Sequence, residues 1–197
     1  MSGARFETRI HGRGGQGVVT AAELLAVAAF AEGRHAQAMP TFGSERTGAP
    51  VVAFCRIDER PIRTREPIVA PDAVIVQDPT LLHQVDLFAG LDDDGFLLVN
   101  TAKPLAELGL SDLVARLRPD RVLTIPATEL ARECVGRPVP NAALLGAFAQ
   151  QTGVVGLDSV VSAIRGRFPA SVAERNVAAA RRAHALAQAV PHEAIHA

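Results

Sequence analysis

Apolar and polar positions alternate from the start of the chain. In residues 5–11, Phe6, Thr8 and Ile10 fall on one face and Glu7 and Arg9 on the other, the period-two pattern of a strand. The run Gly12-Arg13-Gly14-Gly15-Gln16-Gly17 interrupts it. Residues 18–32 are then apolar nearly all round, with Thr20, Glu23 and Glu32 the only polar positions. That composition predicts a helix buried on most sides, closed by Gly33 as its cap. A second short strand is expected over residues 35–39. Residues 40–50 are too rich in glycine and proline to form an element. Residues 51–57 read as a strand, and the three prolines of residues 60–71 as a hairpin or an irregular return. The continuous apolar run over 73–77 suits a central parallel strand, and Asp78-Pro79-Thr80 opens a helix after it. Asp92-Asp93-Asp94-Gly95 is a solvated turn before a buried strand at 96–99. Another strand at 122–125 leads into a helix starting near Ala127, and residues 141–152, 157–168 and 171–190 carry helical spacing.

These elements predict a three-layer α/β fold: a mostly parallel sheet, a glycine-rich strand–turn–helix start and a helical C-terminal part. Neither repeats nor a long linker divide the 197 residues, so residues 1–197 read as one domain, long enough to bury a core without disulfides or metal. A formal charge of −1 advertises neither nucleic acid nor an anionic membrane as partner. Trp and Tyr are absent, which removes the usual platforms for stacking on single strands. Lys103 is the only lysine among 20 basic residues, a bias of composition before it is a sign of function. Cys55 and Cys134 are too far apart in sequence for a CxxC ligand set. No signal-like apolar core stands at the N-terminus, and no apolar run approaches the roughly 18–20 residues of a membrane span, so a cytoplasmic protein is expected.

Two loops concentrate the chemistry. Gly12, Gly14, Gly15 and Gly17 lie between a strand and a helix, where helix amides cradle phosphates and missing β-carbons let a ligand approach. A nicotinamide dinucleotide would also need an acidic residue at the end of the second strand, which instead reads Gln37-Ala38-Met39-Pro40. The glycines otherwise make a tight turn with close helix–sheet packing, or a turn that also lines a shared active site. The Walker pattern is absent, since no Gly-Lys-Ser/Thr follows. The second loop, Phe42-Gly43-Ser44-Glu45-Arg46-Thr47-Gly48, follows the second strand and is expected beside the first. Arg46 suits a phosphate or carboxylate; a solvated ion pair with Glu45 is the plainer reading.

Other motifs carry less. His192-Glu193-Ala194-Ile195-His196 has the spacing of a zinc-binding helix, but such a site needs a stable helix and usually a third protein ligand, and here the motif follows Pro191 near the end of the sequence, so adventitious metal binding is the expectation. His11, at a strand end beside the glycines, is an acid–base candidate or a hydrogen-bonded structural residue. Cys55 reads as a buried small apolar residue and Asn141 as a helix cap.

Ile10 through Gly17, Phe42 through Ile57, Pro61-Ile62-Arg63, Pro71 through Asp78, and Asn141 through Ala147 occur in one order along the chain. In that order they resemble the gamma subunits of pyruvate and related 2-oxoacid:ferredoxin oxidoreductases over about residues 5–180. Two positions depart from the family's Phe-Gly-Pro-Glu-Arg-Arg-Gly-Ala-Pro loop: Ser44 stands for a proline and Thr47 for the second arginine. That leaves room for an unusual substrate, such as the aromatic phenylglyoxylate. The resemblance implies a heteromeric complex that oxidatively decarboxylates a 2-oxoacid to an acyl-coenzyme A and passes electrons to ferredoxin or NAD. It implies that thiamine diphosphate lies with alpha and beta subunits and [4Fe-4S] clusters with a ferredoxin-like delta subunit. This chain would bind no cofactor and supply no catalytic residue or metal ligand. Its share would be Gly12, Gly14, Gly15, Gln16, Gly17, Phe42, Gly43, Ser44, Glu45 and Arg46, lining the active-site and coenzyme A cavity. The two scattered cysteines agree, because a cluster needs four ligands. A stand-alone dinucleotide-binding oxidoreductase and a purely structural interaction module are the competing expectations.

Overall fold

A computed structural model describes residues 5–40 and 47–189. Six strands form one sheet in the order β2-β3-β1-β4-β5-β6. They are β1 (Phe6–Arg13), β2 (His35–Pro40), β3 (Pro50–Asp58), β4 (Ala73–Val76), β5 (Phe96–Asn100) and β6 (Val122–Ile125). β1, β4, β5 and β6 pair in parallel, while β3 runs antiparallel to both β1 and β2. Five of the six strands therefore point one way, as a mostly parallel sheet requires. β3 reverses because the chain returns from β2 in fewer than a dozen residues, too few for a crossover.

The helices are α1 (Val18–Ala31), α2 (Ser111–Arg116), α3 (Ala127–Val135), α4 (Asn141–Thr152), α5 (Leu157–Arg167) and α6 (Ala170–Ala189). On one face of the sheet, Ile10, Cys55, Ile75, Leu98 and Ile125 pack with the buried sides of α1 and α3 to α6. On the other, Val74, Val76, Leu97 and Val99 meet a thinner layer, with Leu81 and Leu105 from short 3-10 turns and Val114 from α2. α4 and α6 approach closely because Gly146 carries no side chain: a Cβ there would lie 2.0 Å from the Ala180 carbonyl oxygen. Alanines 173, 179, 180 and 183 of α6 keep that contact shallow.

Three details depart from the pattern reading. Gly12 is inside β1, paired with Val51, so the turn begins two residues later. A Cβ at Gly12 would meet Val18 Cγ2 at 2.6 Å; the glycine serves helix–sheet packing. α1 buries Val18, Ala21, Leu24, Leu25 and Ala28 but leaves Val27 and Phe30 53% and 72% exposed, so one side is open rather than buried all round. The helix expected after Asp78 is a single 3-10 segment, Pro79–His83, because the chain turns back into the thin layer almost at once. Among the described residues no helix is long and apolar enough to cross a membrane.

Candidate functional site

The carboxyl ends of β1 and β4 are neighbours, yet their continuations part: α1 covers one face of the sheet and the Pro79–His83 turn the other. Diverging connections of this kind open a crevice outside the strand ends. The glycine turn forms its lip. Gly14 donates its backbone N–H to the Ala49 carbonyl at 2.9 Å and accepts from Gly48 N at 3.1 Å, carrying the β1–β3 ladder past the strand ends. This brings the close of the second loop, Thr47 to Ala49, against the first. Phe42, Gly43, Ser44, Glu45 and Arg46 lie outside the described residues, as does the 192–196 histidine motif.

Gly15 and Gly17 take positive φ, 94° and 74°, where a β-carbon is unfavourable. Gly17 is the N-cap of α1 and provides no side chain to bond the first-turn amides; no acidic residue occupies that turn. The positive end of a 14-residue helix therefore opens, uncapped, on a cavity of about 370 Å³ lined by Arg13, Gly14, Gly15, Val18, Thr20 and Thr47.

A polar clasp joins this turn to β4. Gln16 Oε1 accepts from Arg13 N at 2.8 Å, and Gln16 Nε2 donates to Asp78 Oδ2 at 2.8 Å. Arg13 lies 3.2 Å from the same carboxylate and donates to Thr80 Oγ1. Burial alone would raise the Asp78 carboxyl, but bonds from Thr80 and Gln16 and the Arg13 charge hold it below the usual carboxylate range. Beyond the clasp lies a larger cleft of about 770 Å³, bounded by Gly14, Gly15 and Gln16, by Gln77 and Asp78 after β4, by Asn100 to Lys103 after β5, and by Thr128, Glu129, Arg132 and Arg137. Asn100 fixes its floor: Nδ2 donates to Gln77 O and Thr128 Oγ1, both at 2.7 Å, while Oδ1 accepts from Thr128 N. The two cavities adjoin through Gly14, Gly15 and Thr47.

Gly14, Gly15, Gln16 and Gly17 thus border the two cavities; Gly12 borders neither. His11 lies within β1, only 8% exposed, and its Nε2 accepts from Arg9 Nε at 3.0 Å. Burial, reinforced by the Arg9 charge, pushes its pKa down to about 4, so the ring is a neutral acceptor for a buried guanidinium. That guanidinium in turn donates to the carbonyls of Leu87 and Ala89, a structural duty. Asn141 is the first residue of α4, after the N-cap Pro140; its Oδ1 accepts from the first-turn amide of Ala142 at 2.8 Å, while its Nδ2 reaches the carbonyl of Gly17. Gln77, Lys103, Arg132 and Arg137 also line the larger cleft, and no sequence motif marks them, because they come from separate segments and share no spacing.

The donor set does not fit an iron–sulfur cluster. Cys55 is buried in β3 with its thiol pushed up to about 12 by burial, Cys134 is on α3, and no group of three or more metal-binding side chains occurs among the described residues.

A sequence profile of the family described as "Pyruvate ferredoxin/flavodoxin oxidoreductase" matches residues 7–186. The "Pyruvate/ketoisovalerate oxidoreductases common subunit gamma" of Pyrococcus abyssi is 51% identical over 178 residues, 90% of this chain and 95% of that protein. "Pyruvate synthase subunit PorC" of Methanothermobacter thermautotrophicus is 48% identical over 179 residues, 91% of this chain and 94% of its own length. The crystal structure of pyruvate oxidoreductase subunit PORC from Thermotoga maritima superposes with a TM-score of 0.76 at 37% identity, covering 92% of this chain and 96% of that one.

Proposed function

Since this chain belongs to the pyruvate ferredoxin/flavodoxin oxidoreductase family as a gamma subunit, we propose that it works within a complex that oxidises a 2-oxoacid to an acyl-coenzyme A, where it forms part of the coenzyme A cavity. The observation that carries this reading is the uncapped positive end of α1, opening through a glycine turn onto two adjoining cavities. Coenzyme A is rich in phosphate, and a glycine turn offers it backbone amides with no side chain in the way. Arg13 and the Gln16–Asp78 clasp brace that turn, and the apolar Val18 and Val51 line the smaller cavity beside it.

The hard redox chemistry is assigned to the partners. Thiamine diphosphate, held by alpha and beta subunits, supplies the electron sink for decarboxylation, and [4Fe-4S] clusters of a ferredoxin-like delta subunit carry electrons away singly. The substrate is taken to be pyruvate or a branched 2-oxoacid, in line with the substrates named for the relatives. An aromatic 2-oxoacid such as phenylglyoxylate is the other arm of a substrate screen, motivated by Thr47 standing where an arginine is usual. We assign residues 1–197 to one gamma-type domain and the complex to the cytoplasm, with neither nucleic acid nor membrane as partner.

The competing reading, a stand-alone dinucleotide enzyme, lacks an acidic ribose partner at the end of β2, where Pro40 stands. Anaerobic purification of this chain from its own cells separates the two. The proposal expects larger partners with iron–sulfur absorbance, bound thiamine diphosphate and coenzyme A-dependent oxidation of a 2-oxoacid. A colourless single species that binds a nicotinamide nucleotide tightly would overturn it.

A further inference from the structure

The two edges of the sheet are finished differently. β6 offers four residues, three of them buried. β2 offers six, none of them buried, and its outer side pairs with nothing among the described residues. An open edge presents a row of unpaired N–H and C=O groups to any other strand, and folded chains usually close one with a charge, an internal proline, a bulge or a covering segment. β2 reads His35-Ala36-Gln37-Ala38-Met39-Pro40; it contains no Asp, Glu, Lys or Arg, and its one proline is the last residue. It matches β3 residue for residue, from His35 with Asp58 to Pro40 with Ala53, so no bulge turns the edge aside.

The face beside that edge is open as well. Ala36 and Ala38 pack into the core that contains α1, which turns Gln37 and Met39 to the opposite face. There Met39 stands across from Phe54 in the register, and Phe54, though only 6% exposed, joins neither apolar core. The two line a mostly apolar groove of about 570 Å³ together with Pro40, Pro67 and Arg65. Arg65 is the only charged residue of that lining; it is exposed, and its side chain makes no ion pair or hydrogen bond among the described residues. Glu66, the next residue, forms no ion pair with it. Arg56 of β3, by contrast, is held by the Glu7 carboxylate and the Glu66 carbonyl.

We infer that β2 is a docking edge for an extended segment of a different polypeptide of the complex, which adds as a further strand, sets an apolar side chain in the groove and brings a carboxylate to Arg65. In strand addition the main-chain hydrogen bonds supply affinity and the side-chain pockets supply choice. Side chains two positions apart share one face of a strand, so the segment that fits has an apolar residue and an Asp or Glu separated by one position. A small apolar molecule would fill the groove and leave the strand edge and Arg65 unsatisfied. A second copy of this chain pairing through its own β2 would bring no carboxylate. The inference rests on the complex reading for the presence of a partner, and goes beyond it in assigning the surface and the sequence pattern that fits it.

The test is zero-length carbodiimide cross-linking of the intact, anaerobically purified complex carrying Arg65→Lys. Lys103 is the only native lysine, so the change places one new side-chain amine at the groove. Arg65 is exposed and unpaired, so its variants keep the fold. Peptide mass spectrometry should find that amine joined to an Asp or Glu of a different chain, with an apolar residue two positions from it. The companion measurement is amide hydrogen exchange in the intact complex: residues 35–40 should exchange at least tenfold faster with Arg65→Glu than in wild type. A link to a second copy of this chain, no link to any other chain, or equal exchange in the two complexes overturns the inference. The two readings fail separately. A chain that purifies without partners contradicts the complex, whereas a complex that oxidises its 2-oxoacid while residues 35–40 exchange equally in wild type and Arg65→Glu contradicts only the docking edge.

Discussion

The side chain of Asn141 crosses 124 positions of sequence to donate Nδ2 to the backbone carbonyl of Gly17 at 3.4 Å. It thereby locks the start of α4 onto the start of α1. A Cβ on Gly17 would lie 2.5 Å from that same Nδ2, in a backbone conformation (φ 74°) that disfavours any β-carbon. Gly17→Ala should therefore destabilise the chain by about 2 kcal/mol, the left-handed strain and the clash acting together. Thermal unfolding would show a fall of roughly 4–8 °C. Asn141→Ala in the same chain should relieve the clash, so the double variant should be less destabilised than the sum of the two single changes. Simple additivity would mean the two residues do not meet.

His11 predicts a pH signature. Burial and the Arg9 charge depress its pKa from 6.5 to about 4, so the unfolded chain takes up a proton that the folded chain refuses. The stability due to the neutral ring is complete above about pH 6.5 and is lost as pH falls towards 4. Denaturant titrations should show wild type losing more stability than His11→Gln across that window, with the two curves parallel above pH 7. Equal slopes between pH 4 and 6.5 would contradict the assignment.

Gly146 sets the spacing of α4 and α6. A methyl group there would lie 2.0 Å from the Ala180 carbonyl oxygen, a backbone atom that moves only with its helix. Gly146→Ala should cost about 1–3 kcal/mol through overpacking, despite alanine's better helix propensity. A gain in melting temperature would show that the helices separate freely.

The sheet, its strand edges and the three long C-terminal helices were legible because period-two and helical spacing are local properties. Gly12 was misplaced by local reasoning: glycine signals both turns and close packing, and only the contact of Val18 with β1 distinguishes them. The open side of α1 at Val27 and Phe30 was hidden for a related reason, since an apolar residue reads the same whether it faces a core or a surface kept for a partner. Asn141 is legible as a helix-start residue, and its Oδ1 takes the Ala142 amide; its second partner, Gly17, is hidden because it lies far away in sequence. The glycine turn was legible as a site through its context between strand and helix. The rest of the cleft was not: Gln77, Lys103, Arg132 and Arg137 become neighbours only when β4, β5 and α3 end at one edge of the sheet.

The most direct test of the coenzyme A cavity is Thr47→Glu. Thr47 is exposed and stands at the seam of the two cavities, beside Gly15 and close to the uncapped end of α1. A carboxylate there repels a phosphate-rich ligand without disturbing the core. Steady-state assay of the intact complex should show the KM for coenzyme A raised about tenfold, the factor that about 1.4 kcal/mol of repulsion produces. The KM for the 2-oxoacid, the thiamine diphosphate content and the iron content should stay unchanged. An unaltered KM for coenzyme A in a fully assembled complex would contradict the claim that this turn lines its path.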